Sequence, residues 1–400
     1  MKKKLLAVLM TLMVVGTLVG CGSNADIQEK TETENKDVKV EASAEGEAAD
    51  TEESAKVADY KIGVVTPTLS VSEDEFRAAE NMVKKYPNIV KHITLPENFA
   101  TEIETGLSQI ESLADDPKMK AITISSGQSG LLPAFQKIKE KRPDIITITA
   151  PIWDDPDMMS QYIDVCLDTD WVRRGESIAR KAHDMGAKTL IHYSFPTHMA
   201  KEVIVNRHDK MKETAEALGM TFVDVTTPDP QTGNGPAAMQ QFLREDIPRQ
   251  IEKYGKDTNI FGTNCGMYDV ILGEALNLKY LMAEQCCPTP TQAFPTVMNL
   301  EIAAEDAGNY AKINEMISAK AKEADMTGRL SGWPTPVTIF LPEYSVELAK
   351  VMIENPEFDY KNLESLNALG EDMTGFGVDF QKLKPELDNY FVMIMDSIFY

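Results

Sequence analysis

Ala121-Ile-Thr-Ile-Ser-Ser-Gly-Gln-Ser-Gly130 passes from a short β-branched run straight into a loop of hydroxyls and glycines. The run is too short for a helix and reads as a strand buried on both faces. The next segment carries Phe135 and Ile138 at helical spacing and stops at Pro143, and Asp144-Ile-Ile-Thr-Ile-Thr-Ala150 is a second strand. Strand, glycine-bearing loop, helix, strand is the βαβ unit, whose two strands lie parallel.

The same alternation extends both ways. Towards the N-terminus, Lys61-Ile-Gly-Val-Val-Thr66 is a strand closed by Pro67, Phe76, Ala79 and Val83 mark one helix, Ile89 to Leu95 is a strand, and Ile103, Leu107, Ile110 and Leu113 mark another helix. Towards the C-terminus, strands are predicted at 162–167, 188–193, 220–225, 259–263 and 280–286. They alternate with helices at 172–185, 199–218, 237–254 and 268–278, the third with a break expected before Pro248. This pattern predicts an α/β protein with parallel sheets covered on both faces, wound by right-handed crossovers into Rossmann-like lobes. About 340 residues are too many for one typical core and suit two such lobes.

The chain opens differently. Lys2, Lys3 and Lys4 precede an apolar run from Leu5 to Leu18, and Leu18-Val-Gly-Cys21 follows. A short positive segment, a short apolar segment and a small-residue end define a secretory signal over 1–20, too short for a comfortable membrane span. The Leu-Val-Gly-Cys ending resembles the lipobox of bacterial lipoprotein precursors. That resemblance implies cleavage before Cys21, lipid on its sulfur and an extracytoplasmic protein held to the cell membrane; the alternative is an ordinary signal peptide with a chance cysteine. Residues 22–58 carry 11 acidic residues against 4 lysines and no aromatic. They cannot bury enough apolar surface to offset ordering, so 21–58 reads as an acidic flexible tether. Beyond it remain 52 acidic and 33 basic residues, a net charge of about −19. That excludes nucleic acid as a partner and argues against docking on anionic lipid.

The element order resembles the type 1 periplasmic binding proteins, solute receptors of ABC importers, over roughly residues 60–355. Lys61-Ile-Gly-Val-Val-Thr66 resembles that family's first strand, Asp168-Thr-Asp170 with Arg174-Gly-Glu-Ser-Ile-Ala-Arg180 the opening of its second lobe, and Ile260-Phe-Gly-Thr-Asn264 a late strand. Asn264-Cys265 stands where the family often has Asn-Asp, which detaches any borrowed sugar assignment. More narrowly, the chain resembles an uncharacterised family of clostridial-type lipoproteins of this class. The resemblance implies a multi-strand hinge, with crossings expected near 152–157, 293–297 and 332–337. Lobe 1 is then expected at about 59–153 and 298–335, and lobe 2 at about 154–297 and 336–355. Residues 356–400, with eight Phe and Tyr, are read as an extension packing back on a lobe, or else as a partner-docking surface.

In doubly wound sheets ligands meet the loops at the carboxyl ends of the strands. That rule selects Thr66, Ser125, Ser126, Gln128, Trp153, Asp154, Ser194, Asn264 and Tyr268 as candidate ligand-binding residues. The Ser125–Gly130 loop at a helix start suits an anion, or it is a capped turn. Trp153 and Phe195 offer flat apolar faces for stacking or for hinge packing, and Asp154 offers an ammonium acceptor or a hinge cap. The five histidines show no metal-ligand spacing and no nucleophile elbow occurs, so neither catalytic residues, nor a metal, nor a cofactor is expected. Cys166, Cys265, Cys286 and Cys287 form no Cys-x-x-Cys and read as free, mostly buried thiols, with a Cys265–Cys286 disulfide as the alternative.

The leading reading is a non-enzymatic solute receptor whose two lobes close on a small molecule and dock on an ABC permease. A ligand sensor for a membrane kinase or chemoreceptor, and a lipid-anchored enzyme, are the alternatives, because fold alone does not separate them. The anchor gives the first test. Cys21→Ala is expected to abolish detergent-phase partitioning and release or misprocess the chain; a variant that partitions as wild type does removes the lipobox reading.

Overall fold

The structure, a computed structural model, describes residues 59–232 and 235–400. The signal, Cys21 and the tether lie outside the described residues. No described helix is long and apolar enough to cross a membrane.

Five strands follow one another in the first half: β1 (Lys61–Thr66), β2 (Val90–Thr94), β3 (Met119–Ile124), β4 (Ile146–Thr149) and β5 (Val165–Thr169). They are mutually parallel in the order β5-β4-β3-β1-β2. All five positions of β1 from Ile62 to Thr66 are buried, as helices on both faces require. The chain then leaves this sheet. β6 (Thr189–Ser194), β7 (Thr221–Thr226) and β8 (Thr258–Gly262) make a parallel sheet in the order β7-β6-β8. It is widened by parallel bridges from Asn259 to Leu281 and from Met282 to Leu330. β9 (Ser331–Gly332) leads back to the first sheet, where β10 (Val378–Lys382) and β11 (Tyr390–Met395) complete its seven strands, and β12 (Ile398–Phe399) pairs with β9.

Three segments therefore cross between the lobes: 169–173, 332–337 and 395–398. The expected boundaries need correction. The crossing placed at 152–157 comes only after β5, because β5 pairs with β4 on one side and β11 on the other. The segment 293–297 does not cross; Ala293, Phe294 and Met298 pack in the core of the second lobe. The assignments of 298–335 and 336–355 are exchanged. The helix Tyr310–Glu323 buries Ile313 and Ile317 in the second lobe. The helix Val337–Glu354 buries Val337, Phe340, Leu341 and Tyr344 against Ile62 and Val64 of the first. The extension 356–400 does more than pack on a lobe: it supplies two strands to the first sheet, with Phe380, Phe391 and Met393 in its core. Its last residue, Tyr400, belongs to the second lobe, where its hydroxyl bonds Asn314 Oδ1 at 2.9 Å.

Two local features also differ from expectation. The helix Gly235–Tyr254 runs through Pro248 without a break, its buried Ile247 and Ile251 holding the apolar face together across the missing N–H. The segment after Tyr280 is not a full strand but joins the sheet at single bridges.

Gly175 fixes how the second lobe begins. A Cβ there would lie 2.2 Å from the Arg207 carbonyl oxygen and 2.9 Å from the Met211 nitrogen. Only a glycine lets the helix Arg173–Asp184 lie this close to the helix Glu202–Ala217, which brings Arg174 and Arg207 into the same interior.

Candidate functional site

Between the lobes lies a cleft of about 600 Å³. The first lobe contributes Asp74 and Glu75 at a helix start, Ser126, Gly127 and Gln128 after β3, Trp153 after β4, and Asp168 at the end of β5. The second contributes Cys265 after β8 and Cys287, Thr289 and Gln292 from the loop that follows the bridge residues. Trp171 stands on the first crossing segment and Thr338 just beyond the second. These are the carboxyl ends of parallel strands, where the fold leaves room for a ligand.

Trp153 is 60% exposed although it is the largest side chain of its loop. Its indole lies against Gly127, whose φ of +52° places the loop backbone under the ring, with Cζ2 3.5 Å from where a Cβ would stand. Trp171 faces the same space. Two indoles and the Val71, Val337 and Leu341 side chains make the cleft largely apolar. Its charged lining is acidic: Asp74, Glu75 and Asp168, with no Lys, Arg or His among the described lining residues.

The nine residues selected from sequence fall in two groups. Ser126, Gln128 and Trp153 line the cleft. The others are not among the lining residues, and most have their side-chain polar atoms engaged inside the protein. Thr66 Oγ1 bonds His92 Nε2 at 2.8 Å, and Ser125 Oγ donates to Glu75 Oε1 at 2.8 Å. Ser194 is buried, its carbonyl accepting from Thr227 N at 2.8 Å. Asn264 Oδ1 accepts from Gly266 N at 2.8 Å as a helix cap. Tyr268 is buried with its hydroxyl donating to Gly262 O at 3.0 Å. Asp154 takes the N–H groups of Gly130, Leu131 and Leu132 at 2.8, 3.0 and 3.2 Å. This helix start already holds an anion, and it is the protein's own carboxylate. Phe195 is buried and stacks on His198 rather than facing the cleft.

Sequence reasoning did not select Asp168, Trp171 or the cysteines as cleft residues. Burial pushes the Asp168 carboxyl up to about 7, against the opposing hydrogen bonds from Thr169 N and the Trp171 side chain. This carboxyl, bonded by the Trp171 side chain, is the most perturbed acid of the cleft. Its signal was visible only as an Asp at the end of a predicted strand. The thiols of Cys265 and Cys286 are 3.2 Å apart and those of Cys286 and Cys287 3.8 Å, all in the free form. Hydrogen bonds from the Cys286 and Cys287 thiols, then from Gln292, together with the charge of Arg174, pull the Cys265 thiol far below its ordinary range. The Cys286 thiol is pushed up in return, chiefly through the bond it gives Cys265. The Cys265–Cys286 pairing considered from sequence is seen here as a close contact of free thiols, and Cys287 joins it.

Behind the cleft sits a buried ion pair. Arg174 Nε and Nη2 donate to Glu284 Oε1 at 2.8 and 2.6 Å, and both side chains are fully buried. The guanidinium also donates to the carbonyls of Gln285 and Cys286, each at 2.7 Å, and packs between the Trp171 and Trp333 rings. Glu284 Oε2 accepts from Trp333 Nε1 at 3.1 Å and Lys181 Nζ at 3.2 Å. Burial alone would raise the Glu284 carboxyl; Arg174 and Lys181 together outweigh it and leave it below its ordinary value.

Comparison with known proteins agrees with this architecture. A family profile described as protein of unknown function (DUF3798) matches residues 60–331. An uncharacterized protein of Treponema pallidum (strain Nichols) is 33% identical over 181 residues, 44% of this chain and 82% of its own. A crystal structure from Clostridium difficile 630, provisionally described as a transcriptional regulator, matches with a TM-score of 0.83 at 42% identity, covering 86% of this chain and 99% of that one. An ABC transporter solute-binding protein from Bradyrhizobium sp. BTAi1 matches with a TM-score of 0.50 at 12% identity, over 85% of this chain and 82% of that one. The last likeness is one of fold alone. The architecture is that of the type 1 periplasmic binding proteins.

The Asp168 carboxyl has a measurable consequence. Its folded value of about 7 exceeds the ordinary 3.8. Between those values the folded chain keeps a proton that the unfolded chain has released, so this group's contribution falls as pH rises from about 4 to about 7. Asp168→Asn keeps the acceptor for Thr169 N and removes the buried charge. The ligand-free variant is expected to be more stable than wild type by on the order of 1 kcal/mol at pH 8 and no different at pH 4. Denaturant melts at the two pH values check this; equal stability at both would mean the carboxylate is already well solvated.

Proposed function

The chain belongs to the DUF3798 family, and we propose that it is a solute receptor that closes two lobes on a small molecule outside the cytoplasm. The observation that carries this reading is the interlobe cleft, which has the volume and the apolar lining with few polar groups that small-molecule sites have. The first two crossing segments border it through Trp171 and through Pro336 and Val337, so a hinge motion would open and close it without disturbing either core. The acidic lining selects a neutral or cationic solute with a flat apolar face. Trp153 and Trp171 would take that face, and Asp168, with Ser126 and Gln128, its ammonium or hydroxyl groups. The anion favoured by the serine loop alone is disfavoured, because Asp154 occupies the helix start.

The receptor is proposed to be non-catalytic, anchored through lipid on Cys21 and partnered with an ABC permease. The net charge of −23 speaks against a nucleic-acid role of the kind suggested by the clostridial relative's description.

A thermal-shift screen of neutral and cationic metabolites, followed by calorimetry, tests the site. Trp153→Ala and Trp171→Ala are each expected to weaken a hit by on the order of 1–3 kcal/mol, the value of burying a large side chain, with the fold retained. If both fold and bind as wild type does, the ligand site lies elsewhere. Turnover of the bound compound would replace the receptor with an enzyme.

A further inference from the structure

We propose that Cys265, Cys286 and Cys287 form a binding site for a thiophilic divalent cation of the zinc class, with its fourth coordination position open to the cleft. The proposal does not depend on the solute reading. The three sulfurs all lie within 4.8 Å of one another. Thiolate–zinc bonds of about 2.3 Å set sulfurs roughly 3.8 Å apart around one tetrahedral ion; the observed separations are 3.8 Å for Cys286 and Cys287 and 3.2 Å for Cys265 and Cys286. Small side-chain rotations would open the cluster to accept an ion. Cys286 is buried, while Cys265 is half-buried and Cys287 exposed, and both of these line the cleft. An ion can therefore enter from the cleft and keep one face turned towards it.

The surroundings carry the charge that such a site needs. Arg207 is buried, takes part in no ion pair among the described residues, and leaves its Nε without a partner. It rests over the Phe261 ring, and it is close enough to Cys286 and Cys287 for their charge to stabilise it. A buried cation without a counter-charge is costly. Three thiolates and one divalent ion leave a single negative charge, which Arg207 balances; Arg174 is already matched by Glu284. Gln292, which hydrogen-bonds Cys265, has a buried Oε1 with no partner and lines the same face of the cleft. It stands where a group bound at the open position would find an acceptor. On binding, each thiol gives up its proton to solvent as its sulfur bonds the ion, and no oxidant is consumed.

The experiment is titration of the reduced full chain with Cd(II), following the sulfur-to-cadmium charge-transfer absorption, with alkylation of the remaining thiols mapped by peptide mass spectrometry. Saturation at one equivalent is expected, with Cys265, Cys286 and Cys287 protected. Cys265→Ser and Cys287→Ser, both at partly exposed positions, are expected to weaken binding roughly 100-fold or more, and Cys166→Ser to leave it unchanged. Zn(II) should compete for the same equivalent. Cadmium binding that survives both serine variants, or that protects none of the three thiols in the wild-type chain, overturns the proposal. So does a Cys265–Cys286 disulfide that forms in the presence of the ion. The alkylation map reads the wild-type chain, so the result stands even if a variant fails to fold.

Discussion

The Arg174–Glu284 pair is the interaction on which the arrangement of the two lobes depends. Arg174 follows the first crossing segment, Trp333 on the second donates to Glu284, and Lys181 bridges Glu284 to the Ser397 hydroxyl on the third. One carboxylate thus reads all three crossings at once. A buried pair is not in itself a large source of stability, because desolvation offsets much of the attraction. Its strength here lies in satisfaction: Glu284 Oε1 takes two guanidinium N–H groups, and two more meet the backbone carbonyls of Gln285 and Cys286. Removing one partner would strand a charge at about 3–5 kcal/mol. The hinge is held by a network whose members are costly to leave unpaired.

From that hub the cleft chemistry follows. The segment that carries Glu284 continues through Gln285 and Cys286, whose carbonyls Arg174 holds, to Cys287 and Gln292 at the cleft. Trp171 covers the other side of the guanidinium and faces the cleft in turn. The positive charges of this region, Arg174 and Arg207, are thus buried behind the cleft rather than displayed in it, and the displayed charges are carboxylates. This separation supports the proposed preference for neutral or cationic solutes. Asp154 repeats the same economy on the first lobe, neutralising a helix start from within.

Strands were the most legible part of the sequence. β1, β6 and β8 are short, β-branched and closed by turn residues, and the structure places them within a residue or so of where that pattern predicts. The lobe boundaries were not legible, because membership of a sheet is decided by pairing at a distance. β5 looks the same whether it ends one sheet or begins the next, and only the return of β11 from the C-terminus fixes it. The site divided along similar lines. Ser126, Gln128 and Trp153, selected by strand-end position, line the cleft, but that rule cannot say which hydroxyls are consumed internally, as those of Ser125 and Thr66 are. Of the thiol cluster, strand ends suggested the Cys265–Cys286 pair, but not the third member, Cys287, nor its place at the cleft.

The central claim is that the ligand is held between the lobes, and hydrogen–deuterium exchange of the chain with and without a compound from the screen tests it most directly. The account predicts slowed exchange in 126–128 and 168–171 of the first lobe and crossing, together with 287–292 of the second, on saturation with ligand. Protection confined to one lobe, or to surfaces away from these three segments, would contradict it.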